Sequence, residues 1–170
     1  DYAFYPRAFV EPGAHIPSDA PMPLGMWAEE CSGVPIEGLT HHYKATGYQP
    51  ALELAGKLVK YLRYHSQYYD PQTAAFNNEP EMNMDGPAGH FYAHTRGLMG
   101  VLEYGLVTGD KELVEYVRKA YEFGRNFENS NPRVGFFPEW LSPGYPSTET
   151  CQIADMIVLA MKLSKAGVAD

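Results

Sequence analysis

A helix ending that recurs three times along the chain is the feature that most constrains its fold. The stretches "KATG" (44–47), "LVTG" (106–109) and "SKAG" (164–167) each close a helical pattern with glycine, the residue that most readily adopts the left-handed conformation that stops a helix. The glycines are 62 residues apart (109 minus 47) and 58 apart (167 minus 109). Tetratricopeptide and ankyrin arrays have periods near 33 or 34, so neither fits.

The long period predicts an all-α fold made of antiparallel helical hairpins separated by long loops. Such a unit, repeated about every 60 residues, fits an (α/α)6 toroid, in which six hairpins close into a ring and the loops on one face build the site. We predict five helices from the spacing of apolar residues and from the proline and glycine breakers. The predicted ranges are 35–46, 50–62, 89–108, 111–127 and 148–165, the last with its buried stripe on Ala154, Ile157, Val158 and Met161.

The helical pattern divides the chain into two parts. Residues 1–34 are rich in proline, glycine and aromatic residues and predict an extended segment, with one short turn of helix near 26–30. Residues 35–170 predict part of a larger toroid domain, because they hold two hairpins and the first helix of a third. Less than half a ring leaves apolar faces open, so we expect association with the remainder of the toroid or with a second copy.

Charge and hydropathy exclude two classes of partner. A net charge of -8 repels phosphate backbones, and no Lys/Arg cluster offsets it, so the sequence predicts no nucleic-acid binding. No apolar run approaches the roughly 20 residues of a membrane span, and no signal-peptide pattern is visible.

The two cysteines, Cys31 and Cys151, are too few for a disulfide scaffold or a complete thiolate metal site. They could pair with each other or remain free, buried thiols.

The stretch "TETC" (148–151) places a carboxylate and a thiol two residues apart at the entrance of the last predicted helix. Residues two apart in a regular helix point about 200° away from each other. Glu149 and Cys151 can therefore share an ion only if Glu149 precedes the first regular turn, which the preceding "SPGYPS" favours. Otherwise Glu149 stabilises the helix N-terminus and Cys151 is a small core residue.

Three further residues and one acidic loop could carry chemistry. His90 and His94 are spaced i, i+4 on a helix, as in zinc proteases, but the matching interior Glu is absent and a structural role is open to both. Glu139 in "GFFPEW" has the aromatic neighbours that would raise the pKa of a general acid, or it is a surface Glu in an aromatic loop. The loop "NNEPEMNMD" (77–85) could contact sugar hydroxyls or a hard cation, or simply be solvated.

Three stretches together resemble a known family. They are "PIEGLTHHYKATGYQPALELAGKLVKYL" (35–62), "GHFYAHTRGLMGVLEYGLVTGDKELVEYVRKAYEF" (89–123) and "TETC" (148–151). The chain resembles part of the catalytic toroid of family 127 glycoside hydrolases, the β-L-arabinofuranosidases and their relatives, over residues 35–167. The Glu-x-Cys that follows the second hairpin is the most specific part of this resemblance.

The resemblance implies roles for individual residues. Glu149 and Cys151 would be ligands of a zinc ion whose remaining ligands, two downstream cysteines, lie outside this chain. One of those downstream cysteines is the family's nucleophile. Glu139 would be the catalytic acid/base, although the family places it further ahead of Glu-x-Cys than the ten residues found here.

The resemblance also implies how a carbohydrate substrate would be held. His90 aligns with the family's sugar-contacting histidine, but the Ala-Asn-Thr that follows it there is Phe91, Tyr92 and Ala93 here, so the substrate contacts are altered. Tyr92, His94 and Trp140 are the other candidate sugar contacts.

The function expected from this resemblance is the retaining hydrolysis of a terminal glycoside. We expect the 170-residue chain alone to be inactive, because the nucleophile is missing. Other possible functions are a different toroid sugar enzyme, such as an epimerase or a polysaccharide lyase that uses no zinc, and a non-catalytic helical module that binds glycans or a partner protein.

Overall fold

The computed structural model describes residues 1–3, 28–66, 68–77, 89–142 and 144–168, without the side chains of 28–32. The described residues form five α-helices and one short 3-10 helix, Pro132–Val134, and their only β structure is three isolated bridges. The predicted all-α fold is confirmed. The α-helices are α1 (Ala28–Thr46), α2 (Gln49–Tyr64), α3 (Phe91–Thr108), α4 (Lys111–Arg125) and α5 (Thr150–Lys165).

The recurring glycine stop is present at all three places. Gly47, Gly109 and Gly167 follow the ends of α1, α3 and α5 with φ of 72°, 70° and 73°, the left-handed region in which a side chain would be strained. After Gly109 the chain turns at once into α4, where the Asp110 side chain accepts a hydrogen bond from the backbone N–H of Leu113 at 3.0 Å.

The first helix begins earlier than the sequence predicts. α1 starts at Ala28 and runs through Pro35, the predicted first residue of this helix, so residues 31–34 are helical rather than extended. The short helical turn predicted near 26–30 is, from residue 28 onward, part of the same helix. The helix tolerates Pro35 because the residues around it are held by tertiary packing: Gly33 contacts α3 and Ile36 is fully buried. The rest of the predicted extended segment, residues 4–27, lies outside the described residues.

α1 and α3 run parallel and lie unusually close together. Near their N-terminal halves Gly33 faces Gly97, and near their C-terminal ends Lys44 lies 3.7 Å from the Glu103 carboxylate. A Cβ added to Gly33 would overlap the Cα of Gly97, and one added to Gly100 would overlap the Gly33 carbonyl. The two backbones can approach to this distance only because these positions carry no side chain.

α5 continues the same parallel array on the other side of α3. Thr95 donates its hydroxyl to the Asp155 carboxylate at 3.2 Å, and two turns later Lys162 Nζ lies 2.5 Å from Glu103. α2 and α4 each follow their partner after a two-residue turn, so they are the antiparallel second members of two hairpins. The N-terminal ends of α3 and α5 therefore lie at the same end of the array.

The buried face of α5 differs from the predicted one. We expected Ala154, Ile157, Val158 and Met161 to face the core, but Ile157 and Met161 are 55% and 67% exposed. The helix instead buries Gln152, Asp155, Met156, Leu159 and Leu163. Apolar periodicity failed here because two of the buried residues are polar and make hydrogen bonds inside: Gln152 to the Phe137 carbonyl and Asp155 to Thr95.

No helix within the described part of the chain is both long and apolar enough to cross a bilayer.

Candidate functional site

The N-terminal ends of α3 and α5 meet at one place, where the loop between α4 and α5 covers them. His90 is the N-cap residue of α3 and Glu149 is the N-cap residue of α5. Backbone hydrogen bonds from Phe91 N to the Glu139 carbonyl and from Leu141 N to the Gly89 carbonyl, both 2.9 Å, join the loop to the start of α3. Glu139 and Trp140 are thereby held beside His90.

His90 is a buried residue whose imidazole edge faces Glu149. Its exposed fraction is 5%, and its Nε2 lies 3.1 Å from Glu149 Oε2. The ring packs against the Trp140 indole with 4.8 Å between centroids and meets Tyr92 edge-on at 6.0 Å. The ring orientation of His90 is therefore fixed by neighbours on three sides.

Glu149 and Cys151 converge, as the metal interpretation requires. Glu149 has extended backbone angles, φ −114° and ψ 153°, and so precedes the first regular turn of α5. The Cys151 thiol lies 3.2 Å from Glu149 Oε2 and donates to it. Burial, together with this hydrogen bond and the carboxylate charge, raises the pKa of the Cys151 thiol to about 11. The thiol of the metal-free protein is therefore protonated near neutral pH.

Glu139 lies at the same place and is held by two neutral donors. Its Oε1 accepts from the Trp140 indole N–H at 3.0 Å, and its Oε2 accepts from the Ser147 hydroxyl at 2.6 Å. Ser147 is a part of the site that sequence reasoning missed, because "SPGYPS" signalled only a turn. Gln152, also missed, fastens α5 to the loop by donating to the Phe137 carbonyl at 3.1 Å.

These residues include a group that could hold a metal ion. His90, Glu139 and Glu149 each offer a ligand atom, and the three atoms lie within 4.8 Å of one another. The Cys151 sulfur adds a fourth donor at the Glu149 end of the group. Nitrogen, oxygen and sulfur donors of this kind are those that zinc binds in proteins. Cys31 and the acidic residues Glu79, Glu81 and Asp85 lie outside the part of the chain whose side chains are described.

A second group, Glu37, His41 and Glu103, has suitable spacing but already contains a cation. Lys162 Nζ lies 3.3 Å from Glu37 and 2.5 Å from Glu103. Burial pushes the pKa of Glu103 upward, but the Lys162 hydrogen bond and the charges of Lys162, Lys44 and His41 outweigh it and keep this pKa below its ordinary value. The group is an ion-pair network that ties α1, α3 and α5 together.

The expected sugar contact of His94 is wrong. Its side chain is fully buried, and its ring stacks on Phe76 with 4.9 Å between centroids. Nδ1 lies 2.8 Å from the His90 carbonyl and Nε2 lies 3.1 Å from the Tyr68 carbonyl. Since a sugar could reach neither nitrogen, His94 is a core residue that packs under the site.

Comparison with known proteins adds no relative: no protein-family model, curated protein or solved structure matches this chain significantly.

Proposed function

We propose that this chain belongs to a retaining glycoside hydrolase of the kind that family 127 represents, and that it supplies the acid/base and metal-binding side of the active site. The observation that carries the proposal is the convergence of His90, Glu139, Glu149 and Cys151 beside the indole of Trp140. A glycosidase with a cysteine nucleophile still requires a positioned carboxyl group to protonate the leaving oxygen, and this chain offers one at the same place as the candidate metal ligands.

Glu139 is the proposed general acid. Protonation of the leaving oxygen requires a carboxyl group that is held in place, and the hydrogen bonds from Trp140 and Ser147 do this for both oxygens of Glu139. Trp140 and Tyr92 both contact the ring of His90 and are the proposed aromatic contacts for a sugar ring. Both are partly exposed, as contact with a ligand requires.

Zinc is the proposed metal. A carboxylate oxygen and a thiol converge at the entrance of α5, and a thiolate ligand favours zinc over magnesium or calcium. Bound zinc would supply positive charge that stabilises a thiolate. Binding must displace the Cys151 proton, so we expect the metal affinity to rise with pH. The nucleophilic cysteine that the resemblance implies is not among the described residues, and we expect it to come from outside this chain.

The test of the proposed reaction uses the protein in its full natural length, loaded with zinc, and aryl β-L-arabinofuranosides with good and poor leaving groups. We expect Glu139→Gln to reduce the rate on the poor leaving group by about 100- to 10,000-fold, because that group needs a proton. The rate of glycosyl transfer from the good leaving group should fall far less.

Two results would contradict the proposal. Equal losses on both leaving groups would remove Glu139 from the acid role. Glycan binding without turnover of any aryl glycoside, unchanged by Glu139→Gln, would favour the non-catalytic binding module.

A further inference from the structure

We propose that His90 is a metal ligand, so that this chain alone supplies a three-donor site of His90 Nε2, the Glu149 carboxylate and Cys151 Sγ. The inference rests on the metal site of the proposed function and changes the part that His90 plays in it. The resemblance gave His90 a sugar to hold and left the missing ligands to residues outside the chain. The contacts of His90 point to the ion instead.

One carboxylate oxygen of Glu149 contacts both of the other donors. Glu149 Oε2 lies 3.1 Å from His90 Nε2 on one side and 3.2 Å from Cys151 Sγ on the other. Zinc binds nitrogen and oxygen at about 2.0–2.2 Å and sulfur at about 2.3 Å, so neighbouring donors around one tetrahedral ion are about 3.3–3.7 Å apart. Two of the three donor pairs of the metal-free protein are thus close to the spacing that an ion needs. Cys151 is outside the group whose ligand atoms all lie within 4.8 Å of one another, so its side chain must turn toward His90 when the ion binds.

The burial of His90 favours an ion over a sugar. The histidine side chain is 6% exposed, whereas the Glu149 side chain is 40% exposed. A ring so enclosed offers no face to a sugar, and its Nε2 edge already faces Glu149. The packing of Trp140 and the backbone hydrogen bonds at Gly89 and Phe91 fix the ring, which makes His90 a ligand held in place before the metal arrives.

Glu139 is the neighbour of the ion rather than a fourth ligand. Both of its oxygens accept hydrogen bonds from Trp140 and Ser147, and moving the carboxylate onto the ion would break them. Three donors from this chain leave one position of the ion open, as in catalytic zinc sites, and the nucleophilic thiolate that the proposed function expects from outside this chain would take that position. Glu139 is then placed beside that fourth position.

Cobalt(II) titration of the purified 170-residue chain tests the inference, since cobalt reports on its ligands by absorption. We expect one bound ion per chain, with a sulfur-to-cobalt charge-transfer band and the intense visible bands of a four-coordinate ion, both removed by excess zinc. Cys151→Ser should abolish the charge-transfer band. His90→Ala should weaken binding about 100-fold or more, since even the loss of an outer-shell partner weakens metal sites 10- to 100-fold.

The control is His42→Ala, which removes an exposed histidine of α1 and should leave affinity and spectrum unchanged. Histidine side-chain 15N NMR of the wild-type chain gives a second readout that does not depend on a variant folding. On addition of zinc, the Nε2 signal of a single histidine, assigned as His90, should move to the position of a metal-bound nitrogen.

The possible failures are distinguishable. If neither cobalt nor zinc binds specifically to the 170-residue chain, the three-donor site is wrong. The zinc of the proposed function, which has further ligands outside this chain, is wrong only if metal analysis of the full-length protein also finds none. If the ion binds with its charge-transfer band, but His90→Ala leaves affinity unchanged and no histidine signal moves, only the role of His90 is wrong. A bound ion without the charge-transfer band would remove Cys151 and overturn the three-donor site.

Discussion

His90 and His94 lie one helical turn apart in α3 and are both buried, yet their surroundings give them different chemistry. The Nε2 of His90 faces a carboxylate, whereas both ring nitrogens of His94 face backbone carbonyls. Burial therefore dominates at His94 and lowers its pKa to about 4, although hydrogen bonds to the carbonyls of His90 and Tyr68 favour the charged form. A neutral His94 has one ring N–H and donates it to one of the two carbonyls.

This burial predicts a loss of stability in acid. The unfolded chain binds a proton at His94 below about pH 6.5, whereas the folded chain excludes it until about pH 4. The contribution of neutral His94 to stability is complete above pH 6.5 and is lost as the pH falls from about 6.5 to about 4. The free energy of unfolding should fall by about 3 kcal/mol over this range. Urea unfolding at a series of pH values, with a chelator present, measures this change.

The matched variant for this measurement is His94→Phe. It lowers stability at pH 7 by removing the one ring N–H that donates to a backbone carbonyl. It should also remove the change of about 3 kcal/mol in the free energy of unfolding between pH 6.5 and pH 4. His42→Ala, at an exposed site, should keep the wild-type slope. If His94→Phe also keeps it, His94 does not stay neutral in the folded chain.

For single residues, the sequence predicted a contact that depends on local backbone geometry. It did not predict which histidine the core would enclose. The convergence of Glu149 and Cys151 could be reduced to one condition, an extended residue before the helix, and the structure meets it. The i, i+4 spacing of His90 and His94 could not show which ring faces the site. That depends on Phe76 and Tyr68, which are distant in sequence and close the core over His94.

At the scale of the helices, the contact between α1 and α3 depends on the absence of side chains. Gly100 faces the carbonyl of Gly33, and α1 lies across it. The same helix α1 carries Gly38, around which a Cβ would meet nothing within 4 Å. The two glycines thus allow the same substitution to be compared at a tightly packed position and at an open position.

We expect Gly100→Ala to destabilise the fold by about 2 kcal/mol or more, because the added methyl group meets backbone that cannot yield. Gly38→Ala should instead stabilise it by about 0.5–1 kcal/mol through helix propensity. Thermal and urea unfolding of the two variants give the comparison. A Gly100→Ala protein as stable as Gly38→Ala would mean that α1 and α3 lie further apart.

The helices also show the limit of apolar periodicity. It located α2, α3 and α4 to within about two residues at their starts, because most of their buried residues are apolar and their ends carry glycine, proline or aspartate signals. It missed the start of α1, where packing overrides Pro35, and the buried face of α5, where Gln152 and Asp155 are inside. Both misses come from tertiary contacts that no local pattern contains.

At the scale of the molecule, comparison of the repeat units shows that one face of α5 is exposed, whereas the equivalent faces of α1 and α3 are buried. Ile36, Leu98 and Ile157 lie 11, 11 and 10 residues before Gly47, Gly109 and Gly167. The first two are fully buried, and Ile36 lies against Gly100 of the next unit, whereas Ile157 is 55% exposed. One turn later Leu102 is fully buried and the equivalent Met161 is 67% exposed. We propose that another helical unit of the same kind covers this face of α5.

For the purified 170-residue chain, we expect that unit to be a second copy. Sedimentation equilibrium should show self-association that Met161→Lys weakens at least tenfold, because the lysine places a charge at the centre of the apolar face. Val134→Lys, at an equally exposed apolar residue of the 3-10 helix, is the control and should associate like the wild type. A wild-type chain that stays monomeric at high concentration would contradict the proposal.

The contact between the α4–α5 loop and the start of α3 bears on the stage of folding at which the site forms. His90 and Glu149 belong to successive units of the repeat, 59 positions apart along the chain, so their side chains come within 3.1 Å of each other only when the start of α5 is packed beside the start of α3. An ion captured there would bind the finished array and no earlier intermediate, so its binding energy would add to the last step of folding. Heating should then release the metal and melt the three parallel helices in a single transition.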